Sequence, residues 1–201
     1  MIASSVFEVF WNVNCEGATA TVEGNREQYL KVKLKDVTSD VKLDISVKVV
    51  NCCFVPGTQV KMADGKTKNI EDVKVGDIVL SYNEESKEYE NCAVTGLITN
   101  LNTTNIARIN LKDGTKIEMN EYHPIYTQEG WKSLTNYNDL PTLTKEDKVL
   151  STNNEFIEIS SIETWKEETP ITTYNLSIEK THNYFVGNTP VLVHNAQCAD
   201  Y

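Results

Sequence analysis

Two short stretches of this 201-residue chain, far apart in sequence, carry residues whose order permits reaction with their own backbone. The first is VLVHNAQ at 191–197. An asparagine side-chain nitrogen can attack its own main-chain carbonyl, close a succinimide and break the following peptide bond, here Asn195–Ala196. Both reacting groups belong to one residue, so their effective concentration is as high as it can be. The departing amine needs a proton, and His194 is the nearest general acid. The second stretch is the Cys52-Cys53 pair. A thiol can add to the carbonyl before it and move that peptide onto sulfur as a thioester. This N-to-S shift is uphill in water. The fold must strain the bond and protonate the leaving nitrogen, and an unperturbed thiol with a pKa of about 8.5 needs local activation. His123, at the head of HPIY, is the proton donor if the fold brings it near. The chain has only three histidines, His123, His182 and His194.

The elements that must position these groups read as β. From residue 53 onward, short apolar runs at 58–62, 78–82, 93–99, 106–111, 115–119, 156–162, 171–178 and 184–193 alternate with turn signals. Asp64-Gly65 and Asp113-Gly114 lie between alternating runs, the strongest local hairpin signature. Helical periodicity is confined to 68–74 and 132–140. VKVGDIVLS at 73–81 and LTKEDKVLS at 143–151 share an aspartate, a Val-Leu pair and a serine at an offset of 70 residues. Such an echo suggests two similar half-domains closing a sheet on itself. In the N-terminal fifty residues, 30–34 and 41–49 alternate with period two around DVTSD, which predicts a hairpin over 29–50.

With these residues in place, a family resemblance follows. CFVPGTQVKMADG at 53–65 with IEDVKVGDIVLS at 70–81 resembles the opening block of the Hint superfamily, which includes inteins, bacterial intein-like domains, toxin-precursor Hint domains and hedgehog autoprocessing domains. GTKIEMNEYHPIYT at 114–127 resembles the second block, and YNLSIEKTHNYFVGNTPVLVHNA at 174–196 the closing blocks. The resemblance spans Cys53 to Asn195, the size of a minimal form without an inserted endonuclease. It implies an all-β horseshoe with pseudo-two-fold symmetry, preceded by a β-rich flank. The domains expected are an upstream flank at 1–52, a self-processing domain at 53–195 and a downstream stub at 196–201.

Position by position, the resemblance implies that Cys53 is the nucleophile, followed by the expected Phe54, Gly57 and Thr58, with the Cys52 carbonyl as electrophile. His123 protonates the nitrogen of that junction, His182 supports cyclisation, His194 assists departure and Asn195 cyclises. Three positions depart from the pattern. Ala196 stands where a Cys, Ser or Thr acyl acceptor is usual, Asn120 where Thr is usual, and Asn175 where an Asp associated with acyl transfer is common. The expected activity is single-turnover autocatalytic cleavage at one or both junctions. Splicing remains open through attack of the freed Ala196 amine on the thioester. Two other readings stay open. One is a true cysteine mini-intein whose downstream nucleophile is replaced by Ala196, and the other an inactive Hint module in a β-rich surface protein. Asn195, and the lack of a sterol-recognition region, set the chain apart from the hedgehog branch.

Composition excludes several classes. Nineteen basic against 29 acidic residues give a net charge of −10, unlike a nucleic-acid or anionic-membrane surface. The N-terminus has no basic segment before its apolar stretch, so no signal peptide is read there, and no apolar run is long enough to span a bilayer. Five cysteines are too few for a disulfide scaffold of this length. Cys15 and Cys92 are expected to be inert. Cys198 is expected to be an ordinary flank residue, with surrogate acceptor and redox partner of Cys53 as alternatives. Cys-x-x-Cys and His-x3–5-His spacings are missing, so no metal is expected. The chemistry needs no cofactor. The substrates are the chain's own flanks, processed by a monomer, with no nucleic-acid or membrane partner; the compartment is not fixed.

Overall fold

The computed structural model describes residues 8–15, 19–24, 30–35, 43–50, 52–135 and 140–195, the first four stretches by backbone pairing alone. Two compact units are distinguished: Val6–Val50, and a larger one that includes Asn51–Tyr201. The expectations for Ala196 and Cys198 fall outside the described residues, as does the Cys15 side chain.

In the smaller unit, β1 (Glu8–Cys15) pairs antiparallel with β4 (Leu43–Val50), and β2 (Thr19–Gly24) with β3 (Leu30–Lys35). This corrects the expected hairpin over 29–50, because β3 and β4 take different partners. Residues 8–15 also alternate, and the register sets Val9, Trp11 and Val13 opposite Val49, Val47 and Ile45. That matching of apolar positions over eight residues gives β4 a longer partner than six-residue β3 offers.

The larger unit is one antiparallel sheet system, and no α-helix occurs among the described residues. Both Asp-Gly turns form hairpins. β5 (Gln59–Lys61) meets β6 (Thr67–Asn69) around Gly65 at φ 85°, and β8 (Glu88–Leu111) meets β9 (Lys116–Met119) around Gly114 at φ 90°. The helix expected at 68–74 shrinks to one 3-10 turn, Ile70–Asp72. At 132–140, residue 132 ends a strand instead, the hairpin of β10 (Ile125–Thr127) with β11 (Gly130–Lys132). The runs read separately at 93–99 and 106–111 are one 24-residue strand, β8. Those at 156–162 and 171–178 are likewise joined in β13 (Phe156–Ile178). These two long strands pair with each other, with a register shift between Lys166 and Ile171, where Pro170 has no N–H to donate.

The 70-residue echo is structural. β7 (Ile78–Asn83) and β12 (Lys148–Leu150) each follow a turn closed by an aspartate. Asp77 accepts the Lys74 N–H at 2.8 Å and Lys68 Nζ at 2.6 Å. Asp147 accepts the Thr144 N–H at 2.8 Å and Lys132 Nζ at 2.6 Å. The shared valines, Val79 and Val149, are both fully buried. The shared serines bond to backbone carbonyls of the closing hairpin, Ser81 to Asn183 at 2.8 Å and Ser151 to Pro190 at 2.6 Å. The closing hairpin of β14 (Asn183–Val186) and β15 (Val191–His194) is buried at every position. β14 lies against β5 and β15 against β10, so the end of the domain runs through its core. No helix among the described residues is long and apolar enough to cross a membrane.

Candidate functional site

The first junction is fixed by backbone pairing on both sides. Phe54 exchanges two hydrogen bonds with Tyr174 of β13, at 2.7 and 2.8 Å, and the Cys53 carbonyl accepts the Asn120 N–H at 2.9 Å. Phe54 is fully buried, its ring 4.0 Å from that of His123 and edge-on to Tyr184 at 6.3 Å. Burying a phenylalanine side chain stabilises by roughly 1.5–3 kcal/mol, and here it pins the residue next to the candidate nucleophile. Cys52 and Cys53 are buried as well. The Cys52 thiol points to the Tyr122 carbonyl at 3.4 Å, and the Cys53 N–H to Asn120 Oδ1 at 3.4 Å. The Cys52 carbonyl, the electrophile of an N-to-S shift, accepts Asn175 Nδ2 at 2.6 Å.

The second junction ends β15. The Asn195 N–H bonds to the His182 carbonyl at 2.7 Å and the His194 N–H to the Pro124 carbonyl at 3.2 Å. Asn195 is fully buried, and its Nδ2 lies 3.4 Å from His182 Nδ1 and 3.5 Å from the Ile178 carbonyl. His182 sits in left-handed backbone, φ 55°, a conformation that costs a non-glycine residue about 1–3 kcal/mol. The next residue holds that turn in place. Buried Asn183 takes the Tyr82 N–H and gives its own amide to the Tyr82 carbonyl, both at 2.9 Å. His194 Nδ1 is 2.9 Å from the Asn195 carbonyl oxygen. A carbonyl only accepts, so this nitrogen carries a proton.

His123 joins the two ends. Its Nε2 is 3.0 Å from the His194 carbonyl oxygen, so Nε2 is protonated, and Nδ1 is buried with no hydrogen-bond partner among the described residues. Complete burial, and secondarily the neighbouring His194, push its pKa down to about 3, so the ring is neutral at ordinary pH with a lone pair on Nδ1.

The remaining expected residues fall into place. Thr58 bonds to the Val55 carbonyl at 2.8 Å and shapes the turn after the first junction. Cys92 is a buried thiol in β8. Three residues around the site carry no sequence signal. Tyr184 donates to Asn175 Oδ1 at 2.6 Å. Trp131 stands edge-on to His194 at 5.1 Å and gives its Nε1–H to the Glu84 carboxylate at 3.1 Å. In the sequence Tyr184 and Trp131 are simply apolar strand residues, and Glu84 one acid among 29.

A single antiparallel sheet whose last strand brings a His-Asn end beside a buried cysteine junction defines the Hint fold. The solved structures agree. A bacterial intein-like domain from Clostridium thermocellum is 27% identical, covering 73% of this chain and 99% of its own, with a TM-score of 0.65. A DnaB intein from Synechocystis is 18% identical over 72% of this chain and 98% of its own, at a TM-score of 0.60. The gp41-1 intein is 21% identical over 73% of this chain and all of its own, at 0.58. No curated protein matches the sequence. The model of the pretoxin Hint domain matches residues 59–196, and the chain belongs to that family. Self-processing in the general sense follows from this membership.

Proposed function

We propose that residues 53–195 cleave the chain at one or both of their own ends, through a thioester at Cys53 and a succinimide at Asn195. One observation carries the reading: the five-residue segment 120–124 touches both junctions, through Asn120 and Tyr122 at the cysteines and through His123 and Pro124 at His194. One set of groups therefore serves both ends.

In the first step Cys53 Sγ adds to the Cys52 carbonyl carbon. The His123 tautomer set by the His194 carbonyl leaves Nδ1 as the ring's open site. It takes the thiol proton and returns it to the Cys53 nitrogen as the peptide C–N bond breaks. A depressed pKa makes the transient imidazolium a strong donor to that poor leaving group. In the second step Asn195 Nδ2 attacks its own carbonyl carbon. His182 Nδ1 is placed to receive the Nδ2 proton, and His194 Nδ1–H stabilises the carbonyl oxygen as it gains charge. When the intermediate collapses, His194 in its imidazolium form gives a proton to the departing amine and is left neutral. The upstream flank at 1–52 and the stub at 196–201 are the substrates, and Ala196 offers no side-chain acceptor, which favours independent cleavage over ligation.

Intact-mass time courses with and without a small thiol test this. The unaltered chain is expected to yield fragments ending in succinimide at 195 and, with thiol, fragments beginning at Cys53. Cys53→Ala removes only the second set, and Asn195→Ala only the first. A joined 1–52/196–201 product would establish splicing. One unchanging mass under every condition would refute self-processing by these two residues.

A further inference from the structure

We propose that Asn175 is a catalytic residue of the first step, its side-chain N–H serving as a fixed donor to the oxyanion that forms on the Cys52 carbonyl, and that Tyr184 is the positioning residue that orients it. The proposal rests on the acyl-shift reading of Cys53.

An asparagine amide has two ends of nearly the same shape, and only one donates. Here the surroundings decide which. Asn175 Oδ1 lies 2.7 Å from the Leu176 backbone N–H, which can only donate, and 2.6 Å from the Tyr184 hydroxyl. Burial, with the Cys53 and Cys52 thiols beside it, holds the Tyr184 phenol well above its usual pKa, so it stays protonated and donates. The NH2 end must then face the Cys52 carbonyl, which only accepts, at 2.6 Å. Turning the amide over would set its NH2 against the Leu176 N–H, donor against donor, and its oxygen against the Cys52 carbonyl, acceptor against acceptor. Both side chains are buried, Asn175 1% and Tyr184 0% exposed. The strand bearing the donor is also bonded to the segment bearing the electrophile, through the paired Phe54–Tyr174 hydrogen bonds. Donor and carbonyl therefore hold their relative position while the chemistry proceeds.

As Cys53 Sγ adds, the carbonyl π pair moves onto oxygen and the thiol proton leaves for the base. The Asn175 N–H then faces a full negative charge in a dry site, so its bond strengthens in the transition state more than in the ground state. When the oxyanion collapses, the Cys52–Cys53 C–N bond breaks, the proton reaches that nitrogen, and the thioester remains. The aspartate common at this position in the superfamily has no hydrogen to offer unless protonated, and its charge would repel the oxyanion.

The test uses the full chain carrying Asn195→Ala, in which only the first junction reacts, and measures thiol-driven release of 1–52 across a range of pH. Rates are taken relative to that parent at each pH. Asn175→Ala is expected to slow release about 10²–10³-fold. Asn175→Asp is expected to be at least as slow at neutral pH and to recover relative to Asn175→Ala on acidification, as the carboxyl gains a proton to donate. Tyr184→Phe, which keeps the ring packing and the Leu176 contact, is expected to lose roughly three- to tenfold. Parental rates in Asn175→Ala would overturn the proposal. So would equal slowing of the Ala and Asp variants at every pH, since that marks a purely structural residue. A parent that releases nothing refutes the acyl shift itself, and the donor with it. Should the buried substitutions unfold the chain, the carbon-13 shift of a labelled Cys52 carbonyl in Cys53→Ala decides. It is expected to move upfield when Tyr184→Phe is added, and an unmoved resonance would overturn the orienting role.

Discussion

Acidification should unfold this protein through His123. The ring is fully buried and its pKa is depressed to about 3, against 6.5 for an unconstrained histidine. Below pH 6.5 the unfolded chain binds a proton at this residue that the folded chain refuses, so the unfolded state gains stability as pH falls. The stability associated with a neutral His123 is thus fully present above 6.5 and is lost progressively down to about 3. Each pH unit well inside that window is worth about 1.36 kcal/mol, and since the unfolded histidine is already half protonated at 6.5, lowering the pH from ~6.5 to ~4.5 should cost about 2.3 kcal/mol through this residue alone. The assay is urea denaturation of an unreactive Cys53→Ala/Asn195→Ala chain at both pH values, compared with the same chain carrying His123→Gln. Glutamine keeps an amide donor for the His194 carbonyl but cannot titrate. Every other ionisable group contributes to both chains and cancels in the difference. If the two chains lose the same stability on acidification, the buried neutral imidazole is wrong, and with it the tautomer that makes Nδ1 the proton acceptor in the first step.

The remaining expectations concern the supports of the site. Trp131→Ala should cost about 3–5 kcal/mol as a large-to-small core substitution and should slow succinimide formation by loosening His194, read by urea titration and by mass. Glu84→Gln should cost less than about 1 kcal/mol, because burial already raises the Glu84 pKa and a neutral amide can still accept the Trp131 N–H. The two echoed aspartates should differ. Asp147→Ala removes a partner that holds buried Lys132 and should cost about 3–5 kcal/mol. Asp77→Ala, whose Lys68 partner is a third exposed, should cost about 1 kcal/mol in the same denaturation assay.

Local chemistry made much of the larger unit legible. Alternation and two Asp-Gly turns fix the β5–β6 and β8–β9 hairpins because both signals act within a few residues of chain. Two readings failed because they depended on distant partners. The polar centres of β8 and β13 look like loops in isolation, yet they are strand because each lies against the other. Residues 30–35 and 43–50 carry the alternation of a hairpin, and the strand at 8–15 takes one of them away.

The site divides along the same line. The sequence by itself determined which residues have reactive groups: a thiol beside a carbonyl at Cys53, an amide beside its own carbonyl at Asn195, and three histidines to move protons. Those capacities are covalent and local. The tertiary structure alone decided which nitrogen of each ring bears its proton, since that depends on whether a carbonyl lies at 3.0 Å from His123 Nε2 or 2.9 Å from His194 Nδ1. It also decided that the Asn175 amide faces the Cys52 carbonyl, because the orienting hydroxyl belongs to Tyr184 on another strand. Proton placement and amide orientation are properties of neighbours in space, and a chain that must first close a sheet of long-range pairs does not write those neighbours next to one another.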